Sequence, residues 1–121
     1  MGIKSYQELT VWQKAMDLAT EVYKLVKKLP KEELFSLSNQ MRRAAVSIPS
    51  NIAEGQARNS TKEFQQFLAI AKGSKAEIET QLLLCVKVGY LTDTDTSEAM
   101  NLLQEVGKML SVLTKSLPTN H

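Results

Sequence analysis

The sequence predicts an all-α fold, an up-down-up-down antiparallel four-helix bundle, and three observations lead there. Apolar residues recur at i, i+3, i+4 and i+7 in four long segments. Three short polar connections join those segments, as in a bundle whose neighbouring helices run in opposite directions. Five glycines and three prolines in 121 residues are too few for a turn-rich β-sandwich or for disorder. With 43% hydrophobic and 23% charged residues, the chain has material for one core and is expected to form one domain over residues 1–121.

The first helix is expected over about residues 7–28. Trp12, Ala15, Met16, Ala19, Val22, Tyr23 and Val26 form one apolar stripe, and Val11, Leu18, Leu25 and Leu29 a second beside it. Together they cover about half the circumference, more than a single bundle seam needs. Leu29-Pro30 ends the helix. The second, over about 36–55, carries Leu37, Met41, Ala44, Ala45, Ile48 and Ile52. Pro49 lies inside it and removes one backbone hydrogen bond, but the period resumes in phase, so a helix kinked at Pro49 is expected rather than two helices. Gly55 and the polar run 56–59 end it.

Ser60-Thr61-Lys62-Glu63 reads as a capping box that opens a third helix, over about 61–88. Its stripe is Phe64, Phe67, Leu68, Ala71, Ile78, Leu82, Cys85 and Val86, and Gly89 is a plausible left-handed cap. Residues 82–86 are apolar all round, which calls for cover by more than one neighbour. The fourth helix, over about 96–116, opens at Asp95-x-x-Glu98, and Pro118 ends it. Ala99, Leu102, Leu103, Val106, Met109, Leu110 and Leu113 share one face.

The composition excludes much chemistry. A lone cysteine, Cys85, cannot form an internal disulfide, and the one histidine is His121, the last residue. Metal sites and Ser-His-Asp or Cys-His systems therefore lack their parts, and no phosphate-loop or dinucleotide fingerprint occurs. No catalytic residues, metal, cofactor or small-molecule substrate are expected. No signal peptide, myristoylation pattern or membrane-length apolar run is present, so a cytoplasmic protein is expected.

Four features exceed what a bundle needs. Gln40, Arg43, Ser47, Asn51 and Glu54 fall within about 80° of one another beside the core stripe of the second helix. They form an amphipathic boundary, a hydrogen-bonded network with the third helix, or a functional site. Antiparallel pairing puts Arg43 opposite Ser74 and near Glu77, so an Arg43–Glu77 ion pair is expected. Ala69, Gly73, Ala76 and Thr80 form a row of small residues on the third helix, either as ordinary solvent-exposed surface or for close packing against a helix of this chain or of another subunit. Lys75 falls in an apolar stripe, where it either snorkels or is exposed by drift of the helix phase. An enzymatic reading would require a deep pocket gathering Lys75, Glu77 and Tyr23. Finally, residues 1–91 hold thirteen cations against nine carboxylates and residues 92–121 two against four. Lys24, Lys27, Lys28 and Lys31 gather at one end, near Arg42 and Lys87, either as solubilising charge or as a phosphate-binding patch.

The run Leu9 to Met16, the stretch Leu29-Pro30-Lys31-Glu32-Glu33, the long segment Ser38 to Gly55, Lys62 to Glu77 and Gly89-Tyr90-Leu91 resemble the small four-helix-bundle proteins named after 23S rRNA intervening sequences, a ribosomal-protein-like family. The resemblance covers about residues 9–91, and the fourth helix matches only as an amphipathic pattern. Lys72 stands where relatives often have arginine. By relation to the basic, nucleic-acid-binding accessory proteins of diversity-generating retroelements, the resemblance implies a ring-shaped homopentamer, and it supplies no catalytic residues. The expectation is a non-catalytic, self-assembling bundle that contacts RNA or DNA phosphates through Lys24, Lys27, Lys28, Arg42, Arg43 and Arg58. The alternative is a structural or adaptor module that binds protein and no nucleic acid.

Overall fold

The computed structural model describes residues 5–118, and every described element is helical. A 3-10 turn, Tyr6–Glu8, precedes α1 (Thr10–Val26), and a second, Lys31–Glu33, precedes α2 (Leu37–Gln56); α3 (Thr61–Lys87) and α4 (Asp93–Ser116) complete the order. Each helix packs on its neighbours in a closed cycle, α1 on α2, α2 on α3, α3 on α4 and α4 on α1. Contacts run in opposite order along paired helices: Met41 meets Cys85 and Ser47 meets Ser74, while Lys14 pairs with Glu105 and Lys28 with Asp95.

The core lies where the stripes converge. Leu18, Val22, Met41, Ile48, Ile78, Leu82, Leu103 and Leu110 are almost wholly buried there. The broad arc of α1 is only partly used: Val11, Ala15, Leu18 and Val22 are buried, whereas Met16 and Tyr23 stay exposed. The all-round apolar run of α3 divides the same way. Leu82 and Cys85 are buried, but Leu83 and Leu84 remain about half exposed among the described residues.

Several helix ends differ from the sequence reading, each for a local reason. Leu9 has extended backbone and packs into the core, so α1 starts only at Thr10. Helix α2 continues through a buried Pro49 and past Gly55. Gly55 is buried where α3 returns: a Cβ there would sit 2.7 Å from Phe67 Cβ and 2.9 Å from Phe64 Cδ1. That glycine permits a close crossing and does not stop the helix. The expected left-handed cap is present at Gly89, with φ +88°, and the Tyr90 and Leu91 N–H groups donate to the Cys85 carbonyl.

Helix α4 opens at Asp93, before the expected position, because Thr92 takes the cap. The Asp95 N–H donates to the Thr92 hydroxyl at 3.0 Å, and the Thr92 N–H donates back to the Asp95 carboxylate at 2.9 Å. Lys28 adds a third donor at 2.9 Å. The Lys28 bond first, then the Thr92 bonds, hold the Asp95 carboxyl down from its ordinary 3.8 to about 2. A carboxylate whose pKa falls on folding stabilises the fold above its unfolded pKa and loses that contribution as pH drops through the folded value. The α1–α4 seam is therefore expected to weaken between about pH 4 and about pH 2. Asp95→Asn removes this step, which denaturant unfolding across that range will show.

A second tie joins the two connections at the same end. Tyr90 Oη donates to Glu33 Oε2 at 2.7 Å, and the Ser36 hydroxyl donates to Glu33 Oε1 at 2.7 Å. These bonds, Ser36 first, hold the Glu33 carboxyl below the usual carboxylate range, and the same bond raises the Tyr90 phenol.

Candidate functional site

The largest feature of the α1/α2 face is a groove that changes character along its length. At one end Trp12, Met16 and Ala19 of α1 face Pro49 and Ala53 of α2 across an apolar cavity of about 570 Å³. Tyr23 lies on this stretch and also on two smaller pockets at the other end. There, Lys27 and Lys31 approach from α1 and the connection after it, and Asn39, Arg42 and Arg43 from α2. None of Lys27, Lys31, Arg42 and Arg43 makes an ion pair among the described residues. The groove thus passes from an apolar trough into a cationic mouth of two pockets, one lined by Lys27, Lys31 and Arg42 and the other by Arg42 and Arg43, with Tyr23 lining all three.

The six cations singled out in the sequence do not form one patch. Lys27, Arg42 and Arg43 meet at the mouth, joined by Lys31, and Lys24 is exposed on α1 without lining it. Lys28 is turned toward α4 by its 2.9 Å ion pair with Asp95. Arg58 lies at the opposite end of α2, bonded to Glu54 at 2.7 Å, 3.9 Å from Glu63 and over the Phe67 ring at 4.9 Å. Helical i, i+4 spacing favours the Glu54–Arg58 pair, so a sequence signal for this arrangement was present.

The polar stripe of α2 meets α3 at one point. The Ser74 hydroxyl donates to Ser47 Oγ at 2.8 Å, and Asn51 Nδ2 donates to the Ser47 carbonyl and hydroxyl at 2.7 and 2.9 Å. Gln40 and Arg43 stay exposed outside this group. The expected Arg43–Glu77 ion pair does not form. The register of α2 on α3 is one helical turn away from the expected one, so Ser47 faces Ser74, and Arg43 lines the groove beside Tyr23. Glu77 instead accepts a bond from Gln81 at 3.3 Å on the outer side of α3. Gln81 Oε1 has no partner in the structure.

A family model for the 23S rRNA-intervening sequence protein matches residues 7–112. The chain belongs to this family. A crystal structure of a protein of unknown function from the S23 ribosomal protein family of Bacteroides thetaiotaomicron is 29% identical and superposes with a TM-score of 0.81, covering 88% of this chain and 100% of that one. A search of curated proteins gives no match. The family match takes in all of the α1/α2 groove except Tyr6 and extends through most of α4, where the sequence carried only an amphipathic pattern.

The geometry of this intervening-sequence family member also places the small-residue row and Lys75. Ala69, Gly73, Ala76 and Thr80 are all exposed, and a Cβ at Gly73 would meet nothing within 4 Å. Close packing of that row against a helix of the same chain is therefore excluded. Lys75, Glu77 and Tyr23 share no pocket: Tyr23 lines the α1/α2 groove, whereas Lys75 packs between α3 and α4.

Cys85 is fully buried beside Met41, and burial raises its thiol pKa, so it stays protonated and is no nucleophile. Among the described residues no three His, Cys, Asp or Glu side chains are grouped to hold a metal ion. No described helix is long and apolar enough to cross a membrane. His121 lies outside the described residues.

Proposed function

We propose that this chain is a non-catalytic bundle that binds RNA or DNA through its phosphates and assembles with copies of itself. One observation carries the binding: Lys27, Lys31, Arg42 and Arg43 line two pockets that share Tyr23 and Arg42, and none of the four pairs with a carboxylate among the described residues. Arginine offers a planar fork to a phosphate and lysine a point charge, so such a mouth suits the backbone of a nucleic acid. Tyr23 is the one aromatic ring at the mouth, too little for a row of stacked bases. Binding is therefore expected to follow charge and to ignore sequence.

Fluorescence anisotropy with a duplex of about 20 base pairs tests this at about 50 mM salt and upward. Losing Arg42 and Arg43 together should weaken binding by about tenfold or more and reduce the slope of log K against log salt by about 2. Arg58→Ala, which removes a side chain already held by Glu54, should change little. Lack of binding at low salt, or an Arg42→Ala/Arg43→Ala variant that binds normally, would overturn the proposal.

Self-assembly is supported by the outer surface of α3, where the small-residue row is accompanied by exposed Ile70, Leu83, Leu84 and Val88. Met16, Tyr23 and Val46 form a different exposed apolar surface on α1 and α2. The α3 face suits contact with a neighbouring copy, while Tyr23 and Val46 belong to the cationic end of the groove that takes the nucleic acid; the resemblance implies five copies. Light scattering should give a multiple of the 13.5 kDa chain mass, reduced by Ala76→Glu; a monomer at high concentration would remove this half of the proposal. The apolar trough between Trp12 and Ala53 favours the second reading, a structural or adaptor module. Failure of the anisotropy experiment would select it.

A further inference from the structure

A second basic groove, of about 640 Å³, lies between α3 and α4, on the side of the helix cycle opposite the α1/α2 face. Lys72 and Lys75 line it from α3, Lys108 from α4, and Gln104 and Ser111 add polar groups. Lys72 and Lys108 make no ion pair among the described residues, and Lys75 has one, with Glu79 at 3.6 Å.

Lys75 is not an ordinary surface lysine. Only 22% of its side chain is exposed. Its end lies on Gly107 of α4: a Cβ there would be 2.9 Å from Lys75 Cε and 3.1 Å from Nζ. Glycine inside a helix is about 1 kcal/mol worse than alanine, and here its missing side chain is the space the lysine occupies. The ammonium is thus held at the groove by packing and has less rotamer freedom to lose when a ligand arrives. This also accounts for a lysine within the apolar stripe, since its stem covers apolar surface while its charge reaches the groove.

We propose that the α3/α4 groove is a phosphate-binding site in which Lys72, Lys75 and Lys108 hold the oxygens of an oligophosphate. Three cations from two helices against the one carboxylate of Glu79 suit a ligand with several negative charges better than a single carboxylate ion. The site does not depend on the α1/α2 mouth, so either could fail without the other. The phosphates could belong to a free phosphorylated molecule or to a nucleic-acid backbone.

Calorimetric titration of the full chain with sodium tripolyphosphate, at about 50 mM salt, tests the site. Lys72→Ala with Lys108→Ala should weaken binding by about tenfold or more, whereas Lys62→Ala with Lys115→Ala, an equal charge loss elsewhere, should change it by less than about threefold. The decisive variant is Gly107→Ala. It keeps every charge and favours the helix, so it should melt no lower than the parent, yet its methyl group displaces the end of Lys75 and should weaken binding by about threefold or more. No binding by the parent chain, or parent-like binding by both Gly107→Ala and the Lys72/Lys108 variant, would overturn the proposal. Displacement of bound tripolyphosphate by duplex assigns the groove to a nucleic-acid backbone; retention assigns it to a free phosphorylated molecule.

Discussion

Leu82→Ala is expected to lower the unfolding free energy by about 3–5 kcal/mol, the range for a fully buried leucine whose neighbours cannot close the gap. Leu82 is wholly enclosed, so the change removes apolar burial and leaves a cavity among well-packed side chains. The next residue provides the comparison. Leu83 is 56% exposed, and alanine there should alter the stability of a dilute, monomeric chain by no more than about 0.5 kcal/mol. For a domain this size the first loss is a large share of the total. Guanidinium unfolding of both variants measures the contrast, and equal losses would contradict the burial pattern. If Leu83 and Leu84 contribute to assembly, their truncation should lower the mass in solution without lowering the stability of the dilute chain.

Gly55→Ala should cost about 1–3 kcal/mol, although alanine is the better helix former. The added methyl would press on Phe67 Cβ at 2.7 Å and Phe64 Cδ1 at 2.9 Å, with the Phe64 carbonyl at 3.4 Å. Backbone and ring-root atoms cannot step aside, so α2 and α3 must separate. That movement also disturbs the Arg58 guanidinium, which lies over the Phe67 ring. Gly73→Ala is the same substitution in a neighbouring helix and should act in the opposite direction, gaining about 0.5–1 kcal/mol. Its Cβ enters open space, and only the lower conformational entropy of the unfolded chain remains to count. Thermal denaturation of the two variants should move the midpoint in opposite directions; a shared direction would show that the α2/α3 approach is looser than described.

The four helices were legible because a 3.6-residue apolar period is a local signal, written many times over in each segment. Three positions were not settled by the sequence for one reason: the deciding atom is far away in the chain. Gly55 looks the same locally whether it ends a helix or admits Phe67. Residues 82–86 show that a segment is apolar, but only the arrangement of α4 and α2 decides that Leu82 is covered and Leu84 is not. Lys75 is explained by Gly107, on a different helix. At the α4 cap the sequence pointed to Asp95-x-x-Glu98, but Thr92 takes the cap with its reciprocal bonds to Asp95. Of the candidate cations, the tie of Arg58 to Glu54 was readable from i, i+4 spacing, but that of Lys28 to Asp95, 67 residues away, was not; Lys27, Arg42 and Arg43 are left at the groove.

The seam between α1 and α4 has a consequence for the order in which the bundle forms. Its Lys28–Asp95 contact closes a separation of 67 residues, whereas the Ser47–Ser74 contact of α2 and α3 closes only 27. Loop-closure entropy rises with the logarithm of that length, so the central hairpin is the easier contact to make and the outer seam the later one. Interactions made late govern how fast a protein unfolds more than how fast it folds. Asp95 thus stands on the side of the molecule that opens first, and acid should shorten the lifetime of the native bundle while leaving its refolding rate nearly unchanged.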